Sequence, residues 1–273
     1  MAPQGAVPPA TEFVGYGDRS CAEGFTAIAM LLGRTSSLTR VEGDWRATTR
    51  RLGVSPFRMS TFVSNERDEG RRAEVLTALI KIMTDSLLLA SSAVVNDAIF
   101  ALLPGPIYSE PTQHRLTQHR LAPKYVVLAT ATFGLTAKWR QDNHHSGMIS
   151  CVFEKGTDEE GQADFEETVQ RILNNSSALA EYGIATVDLA PKGSASLEMA
   201  DMLAWLMTHW VPELYRDPLA EWCVDRLHSS SIGFERRYLD RQTLMEITAR
   251  NTLEVERRLI AQYGTTFGYR LRP

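Results

Sequence analysis

The sequence predicts a mixed α/β fold, a sheet flanked by helices, on three observations. Two apolar runs of strand length, Glu12–Ser20 and Phe25–Gly33, open the chain, joined by a short link that reads as a hairpin. After them, runs with strand character alternate with segments of helical period. Hydrophobic residues make up 44% of the 273 residues and charged residues 23%, a composition that builds a sizeable core.

The elements follow in order. Residues 1–11 are Pro- and Ala-rich and are expected to be a disordered tail. After the hairpin, Leu38–Leu52 reads as a basic helix closed by Gly53, with Pro56 beyond it. Phe57–Ser64 (FRMSTFVS) alternates and reads as a third strand. Arg67–Ser86 is a helix, with Val75, Leu79, Ile82 and Met83 at helical spacing. Leu87–Val95 is a continuous apolar run, as expected of a strand buried on both faces. Leu103–Pro123 is a loop with four prolines and the short repeat TQHRLTQHR. Tyr125–Arg140 is an apolar helix, Ser146–Phe153 a strand, and Asp164–Tyr182 an amphipathic helix ended by Gly183. Ile184–Leu189 is a strand, Ser196–Trp210 a helix, and the charged remainder to about Tyr263 reads as helical. The expected organisation is one domain over 12–212, with residues 213–273 as a helical C-terminal extension packed on it.

Net charge is −4 and the pI about 5.9, unlike a protein that coats nucleic acid non-specifically. The charge is unevenly spread. Residues 34–58 carry six Arg against Glu42 and Asp44, a net +4, whereas 154–167 carry seven acids against Lys155, a net −6. Residues 112–124 carry Arg115, Arg120, Lys124, His114 and His119 and no acid. Each run is first of all a solvated face. The basic ones offer a second use, because the guanidinium fork suits phosphate oxygens; the candidates are Arg46, Arg50, Arg51, Arg115, Arg120 and Lys124. Three cysteines without a Cys-x-x-Cys spacing form neither a disulfide framework nor a zinc motif. The first residues lack a basic start and an apolar core, and Leu76–Leu103 is broken by Lys81, Asp85, Asn96 and Asp97. A soluble, cytoplasmic protein that contacts no membrane is expected.

No Walker loop, dinucleotide glycine pattern, Gly-x-Ser-x-Gly or His-Glu-x-x-His is present, which sets aside the commoner enzyme classes. What remains is a set of carboxylates at element ends. Asp18 follows FVGYG, with Gly15 and Gly17 expected to leave room beside it; as an ordinary residue it would be a turn aspartate. Glu154 closes SGMISCVF, where ligands gather in α/β sheets, or else simply begins an acidic loop. Asp201 lies among Ala200, Met202, Leu203 and Ala204, where a buried carboxylate needs a partner, a metal or a helix end. Its plain reading is an exposed position on an amphipathic helix, and Glu198, three residues earlier, could assist it. Carboxylates brought together from separate elements are what magnesium-type ions need for phosphodiester chemistry, with two ions about 4 Å apart. His144-His145 is a weak chelate candidate, since adjacent histidines diverge.

These residues resemble the bacterial family known as domain of unknown function 3800. That family opens on a strand ending Asp-Glu-Ser-Gly, has a mid-chain strand ending in an acid, and closes on a Ser-x-x-Leu-Gln-x-Ala-Asp-x-x-Ala helix. Here stand Gly17-Asp18-Arg19-Ser20-Cys21, Val152-Phe153-Glu154-Lys155, and Ser194 through Ala204 (SASLEMADMLA). Phe57-Arg58-Met59-Ser60 falls where the family tends to have Phe-His. The resemblance spans roughly residues 12–210. It implies a ribonuclease H-like fold, which the element order also outlines apart from the extra helix between the second and third strands. It further implies Asp18, Glu154 and Asp201 as ligands of Mg or Mn. Arg19 stands for the family Glu, Cys21 for Gly, Glu154 for Asp and Glu198 for Gln; a cation beside the acids would compete with a metal.

Two readings follow. In the first, the chain is a metal-dependent nuclease acting on RNA or DNA. Asp18 and Asp201 would hold a metal, Glu154 would bridge or activate water, and the arginines would hold phosphates. In the second, the scaffold is catalytically degenerate and binds nucleic acid or a protein. The charged segments Phe234–Arg237 and Glu254–Arg258 suggest an exposed helical pair, a homodimer interface or, more simply, a solvated face.

Overall fold

The computed structural model describes residues 11–102, 124–155, 176–191, 193–212 and 214–247. It is an α/β structure built on a mixed six-stranded sheet. The two long strands β1 (Thr11–Ala22) and β2 (Phe25–Arg34) form the expected hairpin. Its two-residue turn is Glu23-Gly24, both with positive φ (53° and 76°), as a tight hairpin turn requires. Helix α1 (Thr35–Arg51) follows, then α2 (Met59–Asn65), α3 (Glu69–Ser86) and β3 (Leu89–Asn96). A short α4 (Asp97–Ala101), α5 (Lys124–Asp142) and β4 (Met148–Glu154) come next. Then come α6 (Ser176–Glu181), β5 (Ile184–Ala190) and α7 (Ala195–His209). The hairpin β6 (Trp210–Val211)/β7 (Tyr215–Arg216), α8 (Pro218–His228) and β8 (Gly233–Leu239) close the described chain, and residues 241–247 are helical.

The strand order is β5-β4-β1-β2-β3-β8. β1, β2 and β3 are antiparallel neighbours; β4 lies parallel to β1, β5 parallel to β4, and β8 parallel to β3. Strand alternation divides the core into two layers. Ala27, Ala29 and Leu31 meet Met199, Leu203 and Leu206 of α7, backed by Trp45, Leu79 and Val224 from α1, α3 and α8. Ile28, Met30 and Leu32 meet Leu128 and Phe133 of α5. Side-chain caps start several helices: Asp68 for α3, Asn96 for α4, Ser194 for α7 and Asp217, ahead of Pro218, for α8.

Two expectations are corrected. Phe57–Ser64 is not a strand: Met59 and Phe62, three residues apart, are both buried on one side of α2. The two-residue alternation of FRMSTFVS was real, but an eight-residue segment fits both periods, and tertiary packing decides between them. The region after residue 212 is not simply a helical extension, since β8 pairs with β3 from Leu89↔Gly233 to Val95↔Leu239 and so extends the sheet. Glu235, Arg236 and Arg237 gave it a helical look, yet charges are common on strands at a sheet edge.

The tail 1–10, the loop 103–123, most of the 164–182 helix and residues 248–273 lie outside the described residues. Cys21 is exposed, Cys151 and Cys223 are buried, and all three are free thiols. Among the described residues no helix is long and apolar enough to cross a membrane.

Candidate functional site: three carboxylates around Arg58

β1 and β4 run parallel with Gly17 opposite Phe153, so one step further Asp18, inside β1, stands beside Glu154, the last residue of β4, while β1 runs on to Ala22. Phe153 belongs to the α5 layer. Alternation therefore turns Glu154 to the opposite face, toward α7. Asp18 does the same, because its partner across the hairpin is Ala29, part of the α7 layer. Asp201 comes down from α7, whose Ala200 and Ala204 are fully buried and let the helix lie close to the sheet. The three predicted acids are thus brought to one place from two strands and a helix.

A fourth side chain joins them. Arg58, at the start of α2, reaches Glu154 Oε1 from Nη1 at 3.3 Å and both Glu154 oxygens from Nη2 at 3.4 Å. The same Nη1 stands 3.6 Å from Asp201 Oδ1. The backbone N–H of Met59 donates to Asp201 Oδ2 at 2.9 Å. Arg58 is held in place from both sides, since Phe57 is buried against Trp45 and Phe62 (ring centroids 5.8 and 5.6 Å) and Met59 is buried as well.

Burial sets the electrostatics. Asp18 is 7% exposed and Glu154 8%. Burial first, then the Glu154 and Asp201 carboxylates, push the Asp18 carboxyl from its ordinary 3.8 up to about 8. The Arg19 backbone N–H, 2.7 Å from Asp18 Oδ1, and the Arg58 guanidinium pull the other way without cancelling the rise. With two carboxylates beside it and little water to solvate it, Asp18 favours its neutral form.

Several neighbours take roles other than those expected. Gly15 and Gly17 make room on the α5 face: a Cβ at Gly17 would stand 2.2 Å from the Phe153 ring, and one at Gly15 would stand 2.7 Å from Met30 Sδ. Arg19 also points to that face, with its guanidinium 5.4 Å from the centre of the Tyr125 ring. The cation beside the acids is therefore Arg58, not Arg19. Glu198 accepts from Trp45 Nε1 at 2.8 Å and so is engaged by α1. His145 packs against Phe13 and Trp139, while His144 adopts a positive φ, so the pair diverges.

The basic candidates scatter. Arg46 pairs with Glu42 at 3.8 Å, and Arg50 and Arg51 are exposed on the last turn of α1. Lys124 pairs with Asp97 at 3.0 Å beside α5, and Arg115 and Arg120 lie outside the described residues. Arg58 itself escaped notice as a site residue because it was read into a strand. The available signal was its place in the Phe-Arg pair where the resembling family has Phe-His.

The donor set is all hard oxygen, as a magnesium-type ion requires. Among the described residues, no three or more His, Cys, Asp or Glu side chains are preassembled as a metal cage. The carboxylates are instead linked through Arg58. No protein-family model matches this chain, and no curated protein matches its sequence.

Proposed function

We propose that the chain is a divalent-metal-dependent phosphodiesterase, a nuclease of ribonuclease H-like type acting on RNA or DNA. The observation that carries this reading is the meeting of Asp18, Glu154 and Asp201 from β1, β4 and α7 beside the carboxyl end of β4. Carboxyl ends of parallel strands are where α/β sheets place ligands. Within the six-stranded sheet, the order β3-β2-β1-β4-β5, with the first three strands antiparallel and the last two parallel to β1, is the order expected of a ribonuclease H-like sheet and supports the same view, with β8 an addition at the β3 edge.

The three carboxylates would hold Mg or Mn, which supplies Lewis-acid stabilisation of the developing phosphate charge. The chain's own residues do the rest. Asp18 would have to be ionised to hold the cation. Glu154 would orient the attacking water. Arg58 presents a planar fork to phosphate oxygens. Arg46, Arg50 and Arg51 on α1 are proposed to meet the polyanion backbone, together with Arg115, Arg120 and Lys124.

The test is cleavage of end-labelled single- and double-stranded RNA and DNA with Mn²⁺ or Mg²⁺. Metal-dependent cutting that disappears in Asp18→Ala and Asp201→Ala is expected. No cutting, or equal cutting by those variants, refutes the reading.

The second reading is a catalytically degenerate scaffold that binds nucleic acid or a protein, and one observation favours it: Arg58 already spans Glu154 and Asp201. Calorimetric titration separates the two, because a degenerate site takes up no metal.

A further inference from the structure

We propose a second site, in which the Arg236 guanidinium of β8 and the Ser92 hydroxyl of β3 together bind an oxyanion, a carboxylate or a phosphate group. It stands apart from the carboxylate cluster and does not rest on the phosphodiesterase reading.

Register sets its position. Ser92 is the β3 partner of Arg236. Ala90 and Val94, two residues to either side of Ser92, belong to the α7 layer, so alternation turns Ser92 to that face. Phe234 and Tyr238 pack on the same layer and bring Arg236 there as well. One row of partners runs Asp18↔Ala29↔Ser92↔Arg236 across the sheet. The two ends of that row are three strand spacings apart, about 14 Å. Arg236 is half-buried on β8, the edge strand among the described residues, so an anion reaches it without crossing the core.

The polar atoms of this pair are what call for a ligand. Among the described residues, four buried side-chain nitrogen or oxygen atoms have no hydrogen-bond partner, and three of them are Arg236 Nε, Arg236 Nη2 and Ser92 Oγ. Ser92 is 1% exposed. Buried donors without acceptors are uncommon in folded proteins, and what sits beside them is usually water or an ion. The same strand satisfies its other buried hydroxyl internally: Ser91 bonds the Thr136 hydroxyl at 3.0 Å and the Met30 carbonyl at 3.4 Å. The fourth atom, Arg140 Nε, belongs to a side chain already anchored through Nη1 to the Gly147 and Gly183 carbonyls, at 3.0 and 3.5 Å.

Chemistry names the ligand class. Nε and Nη2 lie on one edge of the planar guanidinium, and their parallel N–H groups match the two oxygens of a carboxylate or phosphate. Trp210 takes the face of that plane, with its ring centre 4.7 Å from the guanidinium carbon, and a cation–π contact leaves the edge donors unserved. Burial draws the Arg236 pKa down to about 10, with Tyr238 acting against it, so the group stays charged at neutral pH in a place that disfavours charge. A water molecule would bring lone pairs but no charge. An oxyanion brings an oxygen for each donor and the opposite charge.

The experiment titrates the full chain with sodium phosphate and, separately, with sodium acetate, at constant ionic strength balanced by chloride. The Arg236 Nε–H resonance in heteronuclear NMR and calorimetry are the readouts. A saturable shift of that resonance is expected, and the anion that binds more tightly tells a phosphate ligand from a carboxylate. Affinity should fall at least ~10-fold in Arg236→Lys, which keeps the charge and loses the fork, and about threefold in Ser92→Ala. No saturable shift with either anion leaves the edge to water and overturns the proposal. Unchanged affinity in either variant also overturns it, as does an equal shift when chloride alone is raised. Should Arg236→Lys fail to fold, the wild-type resonance and Ser92→Ala decide in the same way.

Discussion

The two faces of β1 carry two different chemistries. On the α7 face of β1, Asp18 meets Glu154, Asp201 and Arg58. Two residues before it, Tyr16 bonds Ser196, and two after it, Ser20 bonds Thr208 at 3.1 Å, so α7 is tied to β1 on both sides of the acid. On the α5 face, Gly17 admits the Phe153 ring, Arg19 lies over Tyr125, and the Cys21 thiol is 3.7 Å from the Tyr125 hydroxyl. One face concentrates negative charge out of water, and the other is packing and exposed polar contact. The difference teaches that neighbours in sequence are not neighbours in a site when the chain is a strand. Asp18 and Arg19 are adjacent, yet Arg58, forty residues on, is the cation that Asp18 feels.

The largest expected difference between the faces is in activity. On the proposed function, Asp18→Ala and Asp201→Ala would remove ligands of an ion that supplies several kcal/mol of transition-state stabilisation, so metal-dependent cleavage should fall at least ~100-fold. Arg19→Ala should stay within about threefold of the wild type. Initial rates on one labelled oligonucleotide compare the three, and a large loss in Arg19→Ala would break the division.

The α5 face can still disturb the α7 face through the backbone. In Gly17→Ala the new Cβ meets the Phe153 ring at 2.2 to 2.8 Å. β1 cannot yield easily, because β2 and β4 hold it on either side. Overpacking of this kind costs about 1–3 kcal/mol, read as a lower urea midpoint. Because Phe153 is next to Glu154, the same substitution should weaken metal binding without touching a carboxylate. An unchanged midpoint would mean that the ring has room to turn aside.

Stability should depend on pH through the α7 face. The folded protein holds the Asp18 proton up to about pH 8, whereas an ordinary carboxyl releases it near 3.8. The contribution to stability is therefore fully present below about pH 4 and is lost as the pH rises toward 8. Asp18→Asn has no such proton to lose. Relative to the wild type it should gain stability through that window, reaching about 2 kcal/mol at pH 9, since each tenfold change in proton affinity is worth about 1.4 kcal/mol and entering water relieves part of the penalty. Urea unfolding of both proteins at pH 5 and pH 9 measures it, and parallel behaviour of the two would refute it.

Much of this was legible in the sequence, for reasons that differ by residue. The hairpin, α1, α3, β3 and α7 announce themselves because their periods run over eight residues or more. FRMSTFVS was too short to choose a period, and GFERRYL carried its charges on a sheet edge, so α2 and β8 were hidden. The acids stood out because each ends or interrupts an apolar run. Arg58 did not, because its role arises where the chain turns after Pro56 and lays Phe57 on Trp45, a contact with no local signature. Arg19 was misplaced for a simpler reason: if Asp18 faces the helix, alternation alone puts residue 19 on the other side.

The smallest expected effect is the most direct check of that alternation. Arg19 is half-buried over Tyr125, a cation–π contact worth about 0.5–1 kcal/mol at such a site. Its backbone N–H, not its side chain, serves Asp18, so Arg19→Ala keeps the 2.7 Å hydrogen bond. The variant should therefore lose less than about 1 kcal/mol, and by the same amount at pH 5 and at pH 9. A side chain that reached the acid cluster would behave otherwise. Its removal would take a positive charge from buried carboxylates and raise their proton affinity, and the loss would grow as the pH rose. A pH-independent difference between Arg19→Ala and the wild type thus places the side chain on the α5 face; one that grows with pH places it among the acids and erases the distinction between the two faces.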